Sequence, residues 1–447
     1  MKATFSKISG YIDSHREEII EKLSSLAKIP SVSKAGKDSY PFSKEVDDAL
    51  NLAASFFNES GMDMMVKSDS GYAIYTSNGI GDGIGLFAHA DVVPVNDDWI
   101  KTSPFEPICE NGYIFGRGVS DNKAGVIASL YALKALKAAD VKLNSKITVY
   151  IGGSEETGMQ DIEAFCKNEK MPAVCITPDS DFPVSVGEKG IMHIAVRSKK
   201  NFEDVSEFCG GMAYNVILDN VKVKAKTEEF EVRGLTAHAA HPEGSENAAY
   251  KAAQQLLNKE ISQNDKKLLS DFCSIIEGYY GKGLNIESEG VFGKLTSVNG
   301  IVKIDEGKLF FTIDIRYGNE VDSKKTEETI RRVLEEKDFE VVSLENNEGF
   351  LLDEGGKDME IILNACREVC EKPEAMPYKT YGGTYARHLR NAFAIDHSAP
   401  WDKSGLNLPE GHGGAHQSDE VLCVDAFLSG IKALAVMIEG LDEEYSK

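Results

Sequence analysis

The first part of the chain alternates between apolar stripes at helical spacing and short runs that are apolar throughout. The stripes predict three helices, over residues 15–28, 46–57 and 123–139. The runs predict three strands, over residues 84–90, 146–153 and 173–179. Strands that are apolar on both faces need helices above and below them, as in parallel sheets. The pattern therefore predicts an α/β domain with a mostly parallel sheet.

After about residue 184, apolar and polar residues alternate along the strands, as they do when one face of a sheet is exposed. Such strands are predicted over residues 191–198, 228–234, 308–317 and 339–344, and helices over residues 246–258 and 324–336. Beyond about residue 377 come a glycine-rich loop, an acidic motif and a final helix over residues 424–438. We therefore predict a discontinuous α/β domain, residues 1–184 and 377–447, with an inserted α+β domain at residues 185–376.

The composition narrows the range of partners. The 447 residues include 72 acidic and 49 basic side chains, a formal net charge of −23. This balance argues against nucleic acid and anionic membranes, because phosphate groups are bound by clustered Lys and Arg. The apolar runs fall short of the roughly 20 residues that span a bilayer, and the N-terminus lacks the apolar core of a secretory signal. We expect a cytoplasmic protein.

The eight cysteines form no CxxC pair, and several lie in apolar stretches such as AVCIT. In a chain of this length without an export signal, buried free thiols are favoured over disulfides.

Histidine and acidic residues follow several of the predicted strands. His89 and Asp91 close the first strand, and side chains two apart on a strand point the same way. Asp91 can therefore orient the imidazole of a metal-binding His89. Asp121 lies in a glycine-rich loop before a helix, where it is either an N-cap or a carboxylate that bridges two metals.

Further acids lie at the carboxyl ends of strands, where α/β sheets place their active sites. Glu155 and Glu156 are either solvated surface acids or a metal ligand beside a residue that faces the substrate water. Asp179 follows the third strand, and His416 precedes the last helix. Each of these two also has an ordinary interpretation, as a turn acid and a surface histidine.

Taken together, the loops should converge on one edge of the sheet, and their charges favour two metals. Two divalent ions carry +4, while Asp121, Glu156 and Asp179 supply −3 and a hydroxide brings the total to zero. A single ion with three carboxylates would be over-neutralised.

Six segments, in this order, resemble the motifs of the M20 metallopeptidase family, which includes aminoacylases, carnosinases and PepV-type dipeptidases. The segments are AHADVVP, GRGVSDNKAG, GGSEETG, TPDSDFPV, GLTAHAAHPEGSENA and HQSDE. They span nearly the whole chain. The resemblance implies a zinc-peptidase type of catalytic domain with an inserted lid domain.

The resemblance also implies roles for the residues that match. It assigns His89, Asp121 and Asp179 to one metal, and Asp121, Glu156 and His416 to the other. Asp91 would orient the histidine, and Glu155 would be the general base. The peptide bond after Asp121 would be cis. DNKAG departs from the more glycine-rich DxKG of many relatives, but Asp121 itself is kept.

Within the family, GGMAYNVILD, DIRYG and GGTYARHL resemble the lid segments and the substrate loop of PepV-type dipeptidases. This resemblance implies that His238 contacts the substrate carbonyl and that Asn215, Arg316 and Gly383 contact the substrate. For Arg316, an ion pair with a nearby acid is the alternative. An enlarged lid completes the site within one chain in that group, so we expect a monomer.

The expected reaction is hydrolysis of dipeptides or very short peptides through a metal-bridging hydroxide, with Glu155 as the general base. Zn is favoured for the two sites, with Mn or Co as alternatives. Two other functions stay open: an aminoacylase or deacetylase-like amidase, and an inactive binding protein on the same scaffold. Retention of Glu155 argues against the second, because a binding protein needs no base.

Other residues are assigned no role in the chemistry. They include His241, His397 and His412. His412, close to His416 in the chain, either supports a ligand from behind or is an ordinary loop histidine, and the second interpretation is favoured. Tyr385 and Arg387 contact substrate only if the glycine-rich loop faces the cleft.

Overall fold

A computed structural model describes residues 2–34, 40–211, 213–226 and 228–446. The chain divides into two compact units. The first unit comprises Met1–Val186, Leu352–Tyr378 and Thr384–Lys447, and the second comprises Gly187–Leu351 and Lys379–Gly383. Met212, within the GGMAYNVILD segment, lies outside the described residues.

The helices of the described residues, in chain order, are α1 (Lys2–Ser14), α2 (Arg16–Ala27), α3 (Lys44–Glu59), α4 (Lys123–Ala138), α5 (Gln160–Asn168), α6 (Ala248–Leu257), α7 (Gln263–Ile275), α8 (Ser323–Glu336), α9 (Lys357–Val369) and α10 (Val424–Tyr445).

The strands, in the same order, are β1 (Met65–Lys67), β2 (Tyr72–Thr76), β3 (Ile80–His89), β4 (Ile108–Glu110), β5 (Tyr113–Phe115), β6 (Ser145–Gly152), β7 (Val174–Thr177), β8 (Val184–Glu188), β9 (Gly190–Asn201), β10 (Val205–Cys209), β11 (Asn220–Ala225), β12 (Glu228–Arg233), β13 (Glu289–Gly290), β14 (Gly293–Lys294), β15 (Thr296–Val298), β16 (Val302–Asp305), β17 (Lys308–Tyr317), β18 (Phe339–Asn347), β19 (Phe350–Leu351), β20 (Tyr378–Thr380), β21 (Ala392–Ile395) and β22 (Val421–Cys423).

The main sheet of the first unit confirms the predicted α/β fold. Its strands follow the order β1-β2-β6-β3-β7-β21-β8. The four central strands, β6, β3, β7 and β21, run parallel, whereas the outer strands pair antiparallel. The carboxyl ends of the parallel strands therefore meet at one edge, where α/β folds place their sites.

Successive residues of β3 face opposite layers of helices. Leu86 and Ala88 are buried in the large core that includes residues of α4 and α10. Phe87 points to the other face, where its ring contacts Phe165 of α5 at a centroid distance of 5.2 Å. Because both faces are covered, the strand has an uninterrupted apolar sequence.

The predicted boundary of the inserted domain at residue 376 is wrong. Leu352–Tyr378 belongs to the first unit. Its helix α9 buries Met359, Ile362, Leu363 and Cys366 in the same core as α10. These positions have helical spacing, so one apolar face holds the helix against the first unit.

The predicted continuous segment 377–447 is also interrupted. Lys379–Gly383 joins the second unit. The backbone oxygen of Thr380 accepts a hydrogen bond from the backbone nitrogen of Lys189 (3.1 Å), and that of Tyr381 accepts one from Nη1 of Arg316 (3.3 Å). Such long-range bonds leave no local pattern in the sequence.

The second unit is α+β, as predicted. Its larger sheet has the order β15-β17-β9-β18, with β16 also paired to β17, and every pairing is antiparallel. Helix α8 connects β17 to β18, which run in the same direction on either side of β9. This is a split βαβ unit. A second sheet has the order β10-β11-β12.

The described residues also bear on the expectations about membranes and cysteines. None of their helices is long and apolar enough to cross a membrane. All eight cysteines are free, as predicted, but burial is uneven: Cys175, Cys273 and Cys366 are buried, whereas Cys109 and Cys166 are exposed.

Candidate metal centre

His89 is the last residue of β3, and its side chain is buried. Its Nδ1 lies 3.0 Å from the backbone oxygen of Asp91 and 3.3 Å from Oδ1 of the same residue. A proton on Nδ1 that is donated to Asp91 leaves a lone pair on Nε2, as in histidines that bind metals. The backbone oxygen makes the closer of the two contacts.

The buried carboxylate of Asp91 also holds the loop that follows β6. It accepts hydrogen bonds from the backbone nitrogens of Glu155 (3.2 Å) and Glu156 (3.1 Å) and from the hydroxyl of Ser33 (2.7 Å). One side chain therefore joins the ends of two neighbouring parallel strands. Its contacts explain why this acid is completely buried.

Asp121 lies between two imidazoles. Its Oδ1 is 3.2 Å from Nε2 of His89, and its Oδ2 is 3.0 Å from Nε2 of His416. Each oxygen of one carboxylate thus faces a different histidine. The Asp121–Asn122 peptide bond is cis, as the family resemblance implies.

Glu420 fixes the backbone of the Asp121 loop. Its buried carboxylate accepts hydrogen bonds from Nη1 of Arg117 (2.8 Å) and from the backbone nitrogens of Gly118 (2.9 Å), Ser120 (2.7 Å) and Asp121 (2.9 Å). No role was predicted for Glu420 from the sequence. Its donors lie about 300 positions away in the chain, so only its place in the HQSDE motif, beside a predicted ligand, pointed to it.

Glu155 and Glu156 lie in a short 3-10 turn after β6. Oε2 of Glu156 is 3.2 Å from Nε2 of His416, and Oε2 of Glu155 is 4.0 Å from Nε2 of His89. Burial, opposed by His89 and reinforced by Asp179, raises the pKa of the Glu155 carboxyl well above its ordinary value. The two adjacent acids therefore face different parts of one site.

Asp179 follows β7 by two residues, and its Oδ2 lies 3.5 Å from Nε2 of His89. Two groups of potential ligands overlap at His89, and the ligand atoms within each group lie within 4.8 Å of one another. These groups are His89 with Asp121 and Glu156, and His89 with Glu155 and Asp179.

His416 comes from a loop far along the chain and adopts a strained backbone. Its φ is +63°, a conformation that costs a residue other than glycine roughly 1–3 kcal/mol. Nearby, Asp419 anchors the loop by accepting hydrogen bonds from the backbone nitrogens of Ile100 (3.0 Å) and Lys101 (2.8 Å). His412 contributes to the same anchor, because its Nδ1 lies 2.7 Å from Oδ2 of Asp419.

The electrostatics of the site favour bound cations. Burial and nearby Asp121 raise the pKa of Glu156 to about 7, while hydrogen bonds to Asp121 and Glu156 raise the pKa of His416 to about 11. Nε2 of His89 and Oε1 of Glu156 are buried without a well-directed hydrogen bond among the described residues. Buried polar atoms of this kind need a partner, and a divalent ion is one that both can bind. The residues present therefore suit the metals that the donor set implies.

In the second unit, His238 and Asn215 lie on neighbouring segments. The backbone nitrogen of Ala239 donates to the oxygen of Asn215 at 2.8 Å, and Val216 forms an isolated β-bridge with His238. The imidazole of His238 is exposed, and its Nδ1 accepts a hydrogen bond from the backbone nitrogen of Ala240 (3.2 Å). The Asn215 side chain is half-buried.

Arg316, at the end of β17, is almost fully buried and forms a bidentate pair with an acid of its own strand. Its Nε and Nη2 donate to Oδ1 and Oδ2 of Asp314 at 2.7 and 2.9 Å. The same carboxylate lies 2.9 Å from Nε2 of His193. The ion pair that the sequence left as an alternative is thus present. Only the Nη1 edge of the guanidinium, which contacts the oxygen of Tyr381, is turned away from Asp314.

The structure also locates the remaining residues of interest. Gly383 lies in the Lys379–Gly383 segment of the second unit. Tyr385, which begins a 3-10 turn with Arg387, is completely buried in the first unit. The His397 ring is buried as well, with Nδ1 3.3 Å from the oxygen of Pro178, and burial lowers its pKa to about 4.

Comparison with protein families identifies the class of this chain. Residues 85–440 match the model of peptidase family M20/M25/M40. The chain belongs to this family. It is accordingly a hydrolase of the metallopeptidase class, and membership implies divalent metal cofactors and a peptide substrate.

Individual relatives are distant but cover almost the full length. The chain is 26% identical to "Putative dipeptidase YtjP" of Bacillus subtilis over 92% of its own length and 95% of the relative. It is also 26% identical to a "Putative dipeptidase" of Staphylococcus epidermidis, over 85% and 90% of the two chains.

Several solved structures share the fold, and two of them are described as dipeptidases. The dipeptidase Dug1p of Saccharomyces cerevisiae matches with a TM-score of 0.65 at 15% identity, and covers 99% of both chains. Human carnosine dipeptidase 1 matches with a TM-score of 0.64 at 16% identity, over 98% of this chain and 99% of that one. At this level of identity the likeness concerns the fold alone.

Proposed function

We propose that this chain is a dipeptidase that depends on two divalent metal ions. The observation that carries the proposal is the convergence of two histidines and three carboxylates from five separate segments at one end of the main sheet. Asp121 lies within 3.2 Å of both imidazoles, and this distance supports the proposal that it bridges two metals. A fourth carboxylate, that of Glu155, lies beside them without being needed as a ligand.

In this proposal His89, Asp121 and Asp179 hold one ion, and Asp121, Glu156 and His416 hold the other. Bound ions of this kind polarise the scissile carbonyl and provide a nucleophile at neutral pH. Imidazole and carboxylate ligands favour Zn, and they also suit Mn and Co. The three carboxylates carry −3 in total, close to the charge needed to balance two divalent ions.

Glu155 is the proposed general base. Its backbone nitrogen is held by Asp91, and its buried carboxyl has a pKa raised by burial. A raised pKa suits a carboxylate that must first accept a proton from the attacking water and then deliver it to the leaving amine. The raised pKa also reflects the crowding of acids around it, which bound cations would relieve.

The second unit supplies the proposed contacts with the substrate. The exposed imidazole of His238 would stabilise the developing oxyanion, and Asn215 lies on the neighbouring segment. Arg316 would offer the Nη1 edge of its guanidinium to the carboxylate terminus of the peptide, because Asp314 already occupies the other edge. Gly383 would line the substrate loop.

Dipeptides are proposed as the substrates because full-length relatives are named as dipeptidases. A cytoplasmic monomer stays our prediction for location and assembly. N-acyl amino acids, the substrates of the aminoacylase alternative, lack the free amine of a dipeptide.

The test is an assay of metal-free protein with Zn, Mn or Co added back separately. A panel of dipeptides is compared with matched N-acyl amino acids. We expect metal-dependent hydrolysis of dipeptides and little turnover of the acylated compounds. Faster turnover of N-acyl amino acids would contradict the proposal in favour of an amidase. Metal binding without any hydrolysis would favour a binding protein.

A further inference from the structure

We propose that Tyr385 and Asp161 form a buried positioning pair that sets the geometry of the metal centre. Neither residue is proposed to touch the substrate or a metal. The inference rests on the proposed function, since it concerns how the Glu155–Glu156 turn and His89 are held for that reaction. Both residues belong to the first unit.

Tyr385 contacts the site in two directions. Its hydroxyl donates a hydrogen bond to Oδ2 of Asp161 at 2.5 Å. Its ring packs edge-on against the imidazole of His89, with a centroid distance of 6.3 Å and an interplanar angle of 87°. The side chain is completely buried. A single tyrosine therefore packs against a proposed ligand with its ring and holds a carboxylate with its hydroxyl.

Asp161 also contacts the backbone just before the Glu155–Glu156 turn. Its Oδ2 also accepts hydrogen bonds from the backbone nitrogens of Gly153 (2.8 Å) and Ser154 (3.1 Å). Ser154 immediately precedes Glu155, so these bonds hold the two peptides that lead into the residue proposed as the base. Hydrogen bonds to an ionised carboxylate are about twice as strong as neutral ones.

Gly152, the last residue of β6, shows how closely the backbone approaches the pair. A Cβ at this position would lie 1.9 Å from the hydroxyl oxygen of Tyr385 and 2.2 Å from Oδ2 of Asp161. No side chain could be accommodated unless the pair moved. The contact with this pair therefore explains the glycine at position 152.

The pair also links distant parts of the chain. Tyr385 lies 224 positions beyond Asp161 and begins a 3-10 turn within the GGTYARHL segment. Without its hydroxyl, the Asp161 carboxylate keeps only its bonds to the backbone nitrogens of Gly153, Ser154 and Ile162, so its position relative to the turn can shift. A displacement of about 1 Å in a catalytic group can cost roughly a hundredfold in rate.

The test compares Tyr385→Phe with Tyr72→Phe. Tyr72 is a matched control: it is equally buried in the same aromatic cluster, and its hydroxyl also donates to a carboxylate, that of Glu169, at 3.1 Å. For each purified protein the measurements are kcat and KM for a dipeptide, metal content and the thermal midpoint. Asp161→Asn, alone and combined with Tyr385→Phe, completes a double-mutant cycle.

We expect kcat of Tyr385→Phe to fall by about tenfold to a hundredfold, with KM within about twofold and two metals retained. The control should keep its kcat. The kcat of the double variant should be only slightly lower than that of the less active single variant, because the two residues act through each other.

Three results would overturn the inference. The first is an unchanged kcat of Tyr385→Phe in a wild-type background that hydrolyses dipeptides. The second is a loss confined to the thermal midpoint or to metal content. The third is an equal fall in the Tyr72→Phe control. If the wild-type protein hydrolyses no dipeptide with any metal, the proposed function fails and this inference fails with it.

Discussion

The residues assigned to the metals and those assigned to the substrate are held in different ways. In the first unit, His89 and Asp91 are completely buried, and the backbone around Asp121 is fixed by hydrogen bonds to Glu420. In the second unit, His238 is exposed and Asn215 lies on a connecting segment. Metal ligands need a geometry fixed in advance, whereas groups that meet a substrate must stay accessible to it.

Two residues depart from this pattern: His416 of the first unit is exposed, and the other is Arg316. Arg316 belongs to the second unit but is buried and held by Asp314, much as the proposed ligand His89 of the first unit is buried and held by Asp91. A fixed guanidinium edge is suited to recognising one end of a short peptide. We therefore expect changes in the first unit to act on the chemical step, and changes at Arg316 to act on substrate binding.

The largest effect is expected for Glu155→Gln. Removal of a general base typically costs about 10²–10⁴ in rate, so kcat should fall in that range, while metal content measured by mass spectrometry stays near two per chain. Glu163→Gln is the matched control, since Glu163 is an exposed acid of the following helix, α5. Retention of most of the activity by Glu155→Gln would assign the base to another residue.

A smaller loss is expected for His238→Ala in the second unit. Removal of a group that stabilises an oxyanion costs about 10²–10³ in kcat. Because the imidazole is exposed, the thermal midpoint should hardly change. Thr236→Ala, in the same loop, should behave like the wild type. An unchanged kcat for His238→Ala would remove this residue from the reaction.

For Asp91→Asn we expect a loss of metal affinity of about tenfold to a hundredfold. The asparagine amide still reaches the His89 ring, but it has no negative charge to stabilise the Nδ1 proton. It also keeps only one oxygen to accept the hydrogen bonds from the backbone nitrogens of Glu155 and Glu156. Competition with a chelator gives the affinity. Asp97→Asn, an exposed change, is the control. Equal affinities in the two variants would contradict this role of Asp91.

The smallest effect concerns the pH dependence of stability. Burial, with a contribution from Asp91, raises the pKa of Asp161 to about 6 from its ordinary value of 3.8. Between these values the folded state binds more protons at Asp161 than the unfolded state does, so the free energy of unfolding should fall as pH rises.

Metal-free protein should therefore lose up to about 1.4 kcal/mol of this free energy per pH unit at Asp161. Asp161→Asn should lose that component of the slope, as measured by denaturant unfolding between pH 4 and pH 6. The same slope in both proteins would show that Asp161 titrates normally.

Local patterns in the sequence were sufficient to predict the fold class and the segments that carry the proposed ligands. The apolar runs marked the parallel strands, and His89, Glu155, Glu156 and Asp179 stand at or just after their carboxyl ends. The structure brings these four side chains together, while their catalytic and binding roles stay predictions.

What the sequence did not reveal depends on contacts between distant residues. Helix α9 has an apolar face, but the sequence does not say which core that face joins. The bonds of Asp161 to Tyr385 and of Glu420 to the Asp121 loop each span more than 200 positions. Residues of this kind look like ordinary polar positions until the chain is folded.

The most direct test of the account is to locate the metals by anomalous X-ray diffraction from crystals grown with Zn or Mn. We predict two peaks in each chain, one bound by His89 and Asp179 and the other by Glu156 and His416, with Asp121 as a ligand of both. A single peak, or peaks that do not involve Asp121, would contradict the central claim that these residues form a two-metal catalytic site.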